Sequence, residues 1–405
     1  MSYLGNEYTL VEKPALDYLT QILGYDYVEG EKLTPSFGAR ESLRDVILTN
    51  RFRKALQRLN PWMTEVSLNH TLKYFTNSDA LGTSLLAINE KIHKAIVDLE
   101  FTVTQTVEGH KKNLTVKLID FEDVTNNDFL VTNQHAVQGL NKTIYPDIVI
   151  FINGLPIVVI EAKSPFKEGT MGIKAGKKDA YNQLKRYMDS RSDAVSEGAQ
   201  KLFHINFFTG IINKYHAYAG TITSGYDYYL EWKDPYPWKA QDMDDLENNG
   251  QNLFLQGLLE KKNLLLMMQF FVLFETEGDV RIKKLARYQQ FRACMKAIKR
   301  IQSGKTPLEK GGVIWHTQSS GKSLSMVMLA RMIRRTKGLE DTMLVIITDR
   351  IDLDKQLYHT FKGIFPATYT MAKSNLDKIL TRAETVEEMK ALLSGGQAKI
   401  ICTTI

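Results

Sequence analysis

Cysteine is almost missing from this sequence. Cys294 and Cys402 are the only two in 405 residues, so no disulfide framework is available and a reducing compartment suits the chain. Long apolar runs are missing too. The longest, Leu264 to Phe274, spans 11 residues interrupted by Gln269; it is too short to cross a bilayer and reads as a buried helix. The opening residues MSYLGNEYTL show no basic segment followed by an apolar core, so no secretory signal is read there and the expected location is the cytoplasm, with no membrane association. With 10 prolines and 26 glycines, collagen-like and low-complexity chains are excluded. What remains is ordinary globular material, 43% hydrophobic and 24% charged, enough for two to three domains at about 150 residues each.

The net charge of +6 is modest, but its distribution is uneven. Between Arg281 and Lys310 stand ten Lys/Arg and one acid, Glu309. Such a stripe suits a phosphate backbone, or it is a solvated helix face. No internal repeat is visible.

Apolar spacing predicts helices over 8–23, about 40–60 and about 84–99. Period-two alternation then predicts strands at Phe101–Val107 and Leu114–Asp120. Two β-rich runs, Asp147–Ile152 and Leu155–Glu161, flank Asn153-Gly154, a hairpin signal. A helix is expected at 175–190 and strands at 202–209 and 215–222. The region 1–250 is thus read as an α+β domain, with a polar linker candidate at 233–252. From 253 to about 302 the pattern reads as helical. It then alternates: strand Gly311–Trp315, helix 321–335, strand Met343–Thr348, helix 352–361, strand Lys399–Thr403. That order predicts a parallel α/β fold over 251–405.

The hairpin carries the first chemical constellation, Asp147 and then Glu161-Ala162-Lys163. Glu161 and Lys163 are two apart on a strand and share a face. Carboxylate oxygens, with the Ala162 carbonyl, suit Mg2+; the ammonium would position water and stabilise charge on a pentacovalent phosphate. The arrangement demands a register. A plain two-residue loop would set Asp147 opposite Ile160, with the two carboxylates on opposite faces. A three-residue loop, Asn153-Gly154-Leu155, or an equivalent bulge sets it opposite Glu161. Gln183 and Tyr187, four apart on the next helix, present one face, for DNA phosphate or for holding Lys163. The bland reading is solvated strand ends and a packed tyrosine.

A second constellation is His316-Thr317-Gln318-Ser319-Ser320-Gly321-Lys322-Ser323, between an expected strand and an expected helix. It keeps the Gly-Lys-Ser of a phosphate-cradling P-loop, with His316 where the first glycine usually stands. Lys322 would reach the ATP phosphates and Ser323 would ligate Mg2+. Gly304-Lys305-Thr306 is a decoy that follows a helix. No strand after Lys322 ends in the acid pair of a Walker B motif. The lobe is therefore expected to be incomplete, and the chain to bind nucleotide weakly at most without hydrolysing it.

The first constellation resembles the PD-(D/E)xK nuclease superfamily, and Gln183-x-x-x-Tyr187 resembles its RecB-like branch, where an early-helix acid such as Glu12 can join the metal site. Arg287-Tyr288-Gln289-Gln290 resembles the adenine-reading segment of superfamily 2 helicases, with Gln289 first choice and Gln290 in reserve. Thr348-Asp349-Arg350 and Thr403-Thr404 resemble their motifs Ia and Ib. Together with Asn127-Asp-Phe, Asn133-Gln134 and Pro146-Asp147, the whole chain resembles the R subunit of type I restriction-modification enzymes. That resemblance implies a restriction-endonuclease-like domain followed by the start of a RecA-like P-loop lobe. It also implies ATP-dependent translocation of double-stranded DNA, Mg2+-dependent cleavage, and partners in the modification and specificity subunits. A stand-alone repair nuclease-helicase and a DNA-binding module with decayed sites are the alternatives.

Overall fold

The computed structural model describes residues 6–165, 173–189, 197–242, 249–318, 320–364, 380–395 and 400–404. The chain forms two compact units: Met1–Val272 with Lys283–Leu285, and Leu273–Ile282 with Ala286–Ile405.

The first unit is built on a seven-stranded mixed sheet whose spatial order follows the chain. Its strands are β1 (Asp26–Tyr27), β2 (Phe129–Asn133), β3 (Ile148–Ile152), β4 (Leu155–Ala162), β5 (Phe208–Ile212), β6 (Ala217–Gly220) and β7 (Leu230–Glu231). β1 runs parallel to β2, and β4 parallel to β5; the other neighbours are antiparallel. Every residue of β3 and β4 is buried, which is why both read as unbroken apolar runs rather than as alternation. The parallel step from β4 to β5 needs a crossover, and the helix Ile173–Met188 supplies it. Within 202–209, the first residues form a 3-10 turn, Gln200–Phe203, and only Phe208 onward joins the sheet.

Asn153 (φ 53°) and Gly154 (φ 80°) make a two-residue turn between β3 and β4, with Ile152 paired to Leu155. The turn has two residues rather than three, and a bulge, the other device expected, shifts the register farther along the strands. Both left-handed conformations suit an Asn-Gly hairpin turn, and a side chain on Gly154 would lie 2.6 Å from the Leu48 carbonyl. Asn153 is fully used: its amide donates to the Leu118 carbonyl and Asn127 Oδ1, and its oxygen accepts from the Asp128 backbone and Arg58.

The N-terminal helical stretch runs through Tyr8–Glu12, Lys13–Asp17 and Tyr18–Ile22, its outer turns π-helical. It is tied to the helix Gly250–Leu259: Tyr18 donates to Gln256 Oε1 (2.8 Å), Gln251 Nε2 to the Val11 carbonyl (3.2 Å), and Tyr25 to the Leu259 carbonyl (2.7 Å). Phe254, Leu255 and Leu258 are fully buried. The first compact unit consequently runs past residue 250. Asp234, inside the expected linker, is buried as well.

The region expected to be helical to residue 302 is interrupted. Val272–Glu277 and Val280–Leu285 form a hairpin, turning at Gly278 (φ 57°), before the helix Tyr288–Ser303. Lys283, counted in the basic stripe, is not on a solvated face. It is buried, and its amine donates to Asn89 Oδ1 and the Asn206 carbonyl, both at 2.7 Å.

In the second unit, Leu344–Thr348, Ile400–Thr404 and Leu380–Ala383 form a parallel sheet in that spatial order. Buried Asp354, on the helix Ile351–Ile364, is paired with Arg382 of the last of these strands. Gly311–Trp315 is not a strand: these residues have no ladder, and Val313 and Trp315 are 92% and 89% exposed. A strand pattern becomes a strand only where a neighbour pairs with it, and no described strand does.

Candidate active site

The register between β3 and β4 decides whether a site exists. Near the turn Phe151 pairs with Pro156; farther on Ile150 pairs with Val158 and Ile148 with Ile160. Ile157 is the extra residue, and the pairing shifts by one across it. Carried one step further, the ladder sets Asp147 across from Glu161, with both carboxylates on one face. The Asp147 carboxylate accepts from the Ala162 amide at 2.8 Å.

Lys163 follows β4, its own amide bonded to the Ile212 carbonyl at 2.9 Å. Its ammonium donates to the Ala162 carbonyl at 2.7 Å. It also lies 3.7 Å from Glu161, 3.8 Å from Asp147 and 3.7 Å from Glu7. A cation thus stands among four oxygen-bearing groups.

The N-terminal helical stretch brings two further acids. Oxygens of Glu7, Glu12 and Asp147 lie within 4.8 Å of one another. Gln134 holds the last two together, its amide donating to Glu12 (3.3 Å) and Asp147 (3.1 Å); Glu7 is fixed by the Ser164 amide at 2.8 Å. Burial, and then the charge of Asp147, push the Glu12 carboxyl up to about 7. Burial followed by Asp147 also drives Glu161 well above the usual carboxylate range, against the smaller pull of Lys163. Both oxygens of Glu161 are buried and accept no hydrogen bond. A buried carboxylate left this way is costly unless a positive charge meets it. The donors are all oxygen, the set that suits a hard divalent cation.

Gln183 and Tyr187 share a helix face, the Gln183 amide donating to the Tyr187 hydroxyl at 2.6 Å. Burial, with Glu161's charge second, raises the Tyr187 hydroxyl. The same helix passes over Lys163: a side chain at Gly176 would meet Lys163 Cβ at 3.2 Å. The fold thus brings Asp147, Glu161, Ala162, Lys163 and Tyr187 together, with Glu12 beside them. Glu7 and Gln134 were not assigned roles from the sequence. Gln134 had a signal, in the Asn133-Gln134 pair; Glu7 had none beyond its place before an expected helix.

The second unit holds the P-loop. Gly321 adopts φ 84° as the residue before the helix Lys322–Arg335. The Lys322 ammonium donates to the His316 and Thr317 carbonyls, both at 3.0 Å. Ser320 also bonds the Thr317 carbonyl, at 2.7 Å, while Thr317 and Gln318 are exposed; Ser319 lies outside the described residues. Gln290 takes the Arg287 amide on its oxygen (2.8 Å) and donates to the Gly321 carbonyl (2.9 Å). The reserve glutamine thus braces the loop. Gln289, the first choice, keeps a buried oxygen with no hydrogen bond. Thr348 pairs with Thr404, so the two segments read as motifs Ia and Ib meet at one end of the sheet. Among the described residues, no helix is long and apolar enough to cross a membrane.

Comparison with known proteins matches two separate parts of the chain. Residues 5–228 match the family model of the type I restriction enzyme R protein N terminus, and residues 289–405 that of the SWI2/SNF2 ATPase. The chain is similar to the "Putative type I restriction enzyme MjaIXP endonuclease subunit" of Methanocaldococcus jannaschii, 33% identical over 425 residues, covering 99% of this chain and 37% of that protein. It is also 33% identical over 352 residues to the type I restriction enzyme HindI endonuclease subunit of Haemophilus influenzae, covering 85% of this chain and 32% of that one. The chain spans about a third of the length of these relatives.

Proposed function

Because the chain belongs to the type I restriction enzyme R protein N-terminal family, we propose that its first unit is a divalent-metal-dependent DNA endonuclease and its second part of an ATP-driven motor on double-stranded DNA. The observation that carries the nuclease reading is Lys163's ammonium, within 4 Å of both Asp147 and Glu161.

Asp147, Glu161 and the Ala162 carbonyl would hold Mg2+, with Glu12 and Glu7 flanking them. The bound ion supplies Lewis-acid chemistry: it lowers the pKa of water and offsets charge on the phosphate. Lys163 orients the attacking water and stabilises the negative charge that builds on the phosphorane oxygens. Tyr187 and Gln183, bonded to each other, would hold Lys163 or a phosphate oxygen.

In the second unit, Thr317, Gln318, Ser319, Ser320, Gly321, Lys322 and Ser323 would cradle the phosphates of ATP, and Gln289, with its unpaired amide oxygen, would read the adenine. The modification and specificity subunits are the proposed partners, unmethylated foreign DNA the substrate, and the cytoplasm the place of action.

In the full-length protein with its partner subunits, Lys163→Ala abolishes DNA cleavage and leaves ATP hydrolysis; Lys322→Ala abolishes both. Cleavage that survives Lys163→Ala sinks the nuclease reading.

A further inference from the structure

The helix Ile173–Met188 has two working faces. Gly176 packs on Lys163, and Ala180, Gln183 and Tyr187 follow it at helical spacing, with Tyr187 within reach of the Glu161 charge. Lys177, Lys178, Tyr181 and Lys185 lie about a quarter turn or more away. On that second side the lysines rest on tyrosine rings. Lys177's ammonium is 4.4 Å from the centre of Tyr226 and 4.6 Å from that of Tyr218. Lys178's is 4.6 Å from Tyr226 and 5.6 Å from Tyr181.

The rings are anchored. Tyr181 meets Tyr226 and Tyr229 edge-on, at 5.6 and 5.4 Å. Tyr229 is buried, its hydroxyl bonded to Thr209 at 2.7 Å. Lys185 donates to the Ile222 carbonyl at 3.0 Å. Two ammonium groups therefore converge on one ring, Tyr226, in a half-exposed cradle wired into the core. Acids stand near as well: Asp179 follows Lys178 on the helix, the charge of exposed Asp227 reaches Tyr181, and Glu231 is paired with Lys233 at 2.7 Å and with His216.

We propose that the Lys177–Lys178–Tyr226 cradle is a binding site for the DNA backbone that seats phosphates flanking the scissile one. The inference rests on the nuclease reading of Asp147, Glu161 and Lys163. Lys177 is the neighbour of Gly176, the residue packed on Lys163, so a strand leaving the carboxylate face meets this cradle next. Like charges brought together on one aromatic face favour an anion between them, and a ring that fixes the ammonium groups lowers the entropy lost when phosphate arrives. Lys177 and Lys178 are positioning residues; neither takes part in bond cleavage.

The test uses the full-length protein with its partner subunits, a short fluorescein-labelled duplex and EDTA to prevent cleavage. Anisotropy titrations over a range of KCl concentrations give the slope of log K against log salt. The double variant Lys177→Ala/Lys178→Ala should bind more weakly, with a slope less negative by about 1.8, for two lost phosphate contacts. Lys177→Arg/Lys178→Arg should restore the slope. In the wild type, duplex should protect both lysines from acetylation, read by mass spectrometry, which keeps the proposal testable if the alanine pair does not fold. An unchanged slope together with unprotected lysines overturns it. These binding readouts need no cleavage, so failure of the nuclease reading shows separately, as cleavage by Lys163→Ala.

Discussion

Asp147 stands across from Glu161 because one residue of β4, Ile157, has no partner on β3. With the Asn153-Gly154 turn at two residues, every pairing beyond it would otherwise set Asp147 opposite Ile160 and turn the carboxylates to opposite faces. Deleting Ile157 should therefore leave a β-rich fold by circular dichroism while lowering metal-dependent cleavage by about 100-fold or more, the scale of a misplaced catalytic group. Wild-type cleavage in the deletion variant refutes the role given to the bulge.

The P-loop depends on Gln290. Its amide reaches the Gly321 carbonyl, and a methyl group on Gly321 would lie 2.5 Å from Gln290 Nε2 at a backbone φ of 84°. Gln290→Ala should weaken binding of a fluorescent ATP analogue to the full-length protein by about tenfold, the worth of one hydrogen bond holding the loop. Gly321→Ala should weaken it further, since the left-handed backbone and the contact both resist a Cβ. Equal affinities in wild type and Gln290→Ala would show that the brace is idle.

Asn89 secures the first unit's interior. Its amide nitrogen donates to the Phe203, His204 and Asn206 carbonyls, and its oxygen takes the Lys283 amine. Burial lowers the pKa of that amine well below its ordinary value. Removing the amide leaves several buried polar groups unsatisfied at once. Asn89→Ala should lower the first unit's stability by about 3 kcal/mol in urea titration; a loss under about 0.5 kcal/mol, the range of a neutral surface change, would contradict this.

His204 is buried, its Nδ1 2.8 Å from the Ser78 hydroxyl, and burial lowers its pKa to about 4. In the unfolded chain the imidazole takes a proton below about 6.5, whereas the folded one stays neutral until about 4. The unfolded state thus binds more protons in that window, and stability is lost as pH falls from 6.5 towards 4. The whole effect is at most about 3 kcal/mol. His204→Gln should flatten this part of the profile in urea titrations at several pH values; parallel profiles for the two proteins would rule it out.

Much of the candidate site was legible because its parts are close in sequence. Asn-Gly between apolar runs marks the hairpin, and the parity of strand faces demands an extra residue. Which residue could not be read: Ile157 sits in an apolar run that is buried on both faces, where one more isoleucine carries no mark. Glu7 and Gln134 reach the site from elements more than 120 residues apart in sequence, and only the packing of the N-terminal stretch on Gly250–Leu259 aligns them. The hairpin Val272–Leu285 was hidden by the helical run ahead of it, although Gly278-Asp279 between alternating segments was a usable signal. Gly311–Trp315 shows the reverse: the strand pattern is local, but the ladder it needs is not.

The way the chain is divided between the two units has a consequence for how it is made. Lys283–Leu285 belongs to the first unit although the ten residues before it belong to the second. The Lys283 carbonyl accepts from both Thr221 and Thr223, at 2.7 and 2.9 Å, and its amine fills the polar pocket around Asn89. A nascent chain can lay down all seven strands of the sheet and still lack that plug. Completion of the first unit during synthesis should wait until Leu285 has emerged, by which time the ten residues Leu273–Ile282 of the second unit have emerged as well. A fragment cut at Val272 would lack the Lys283 plug, and one ending at Leu285 would keep it.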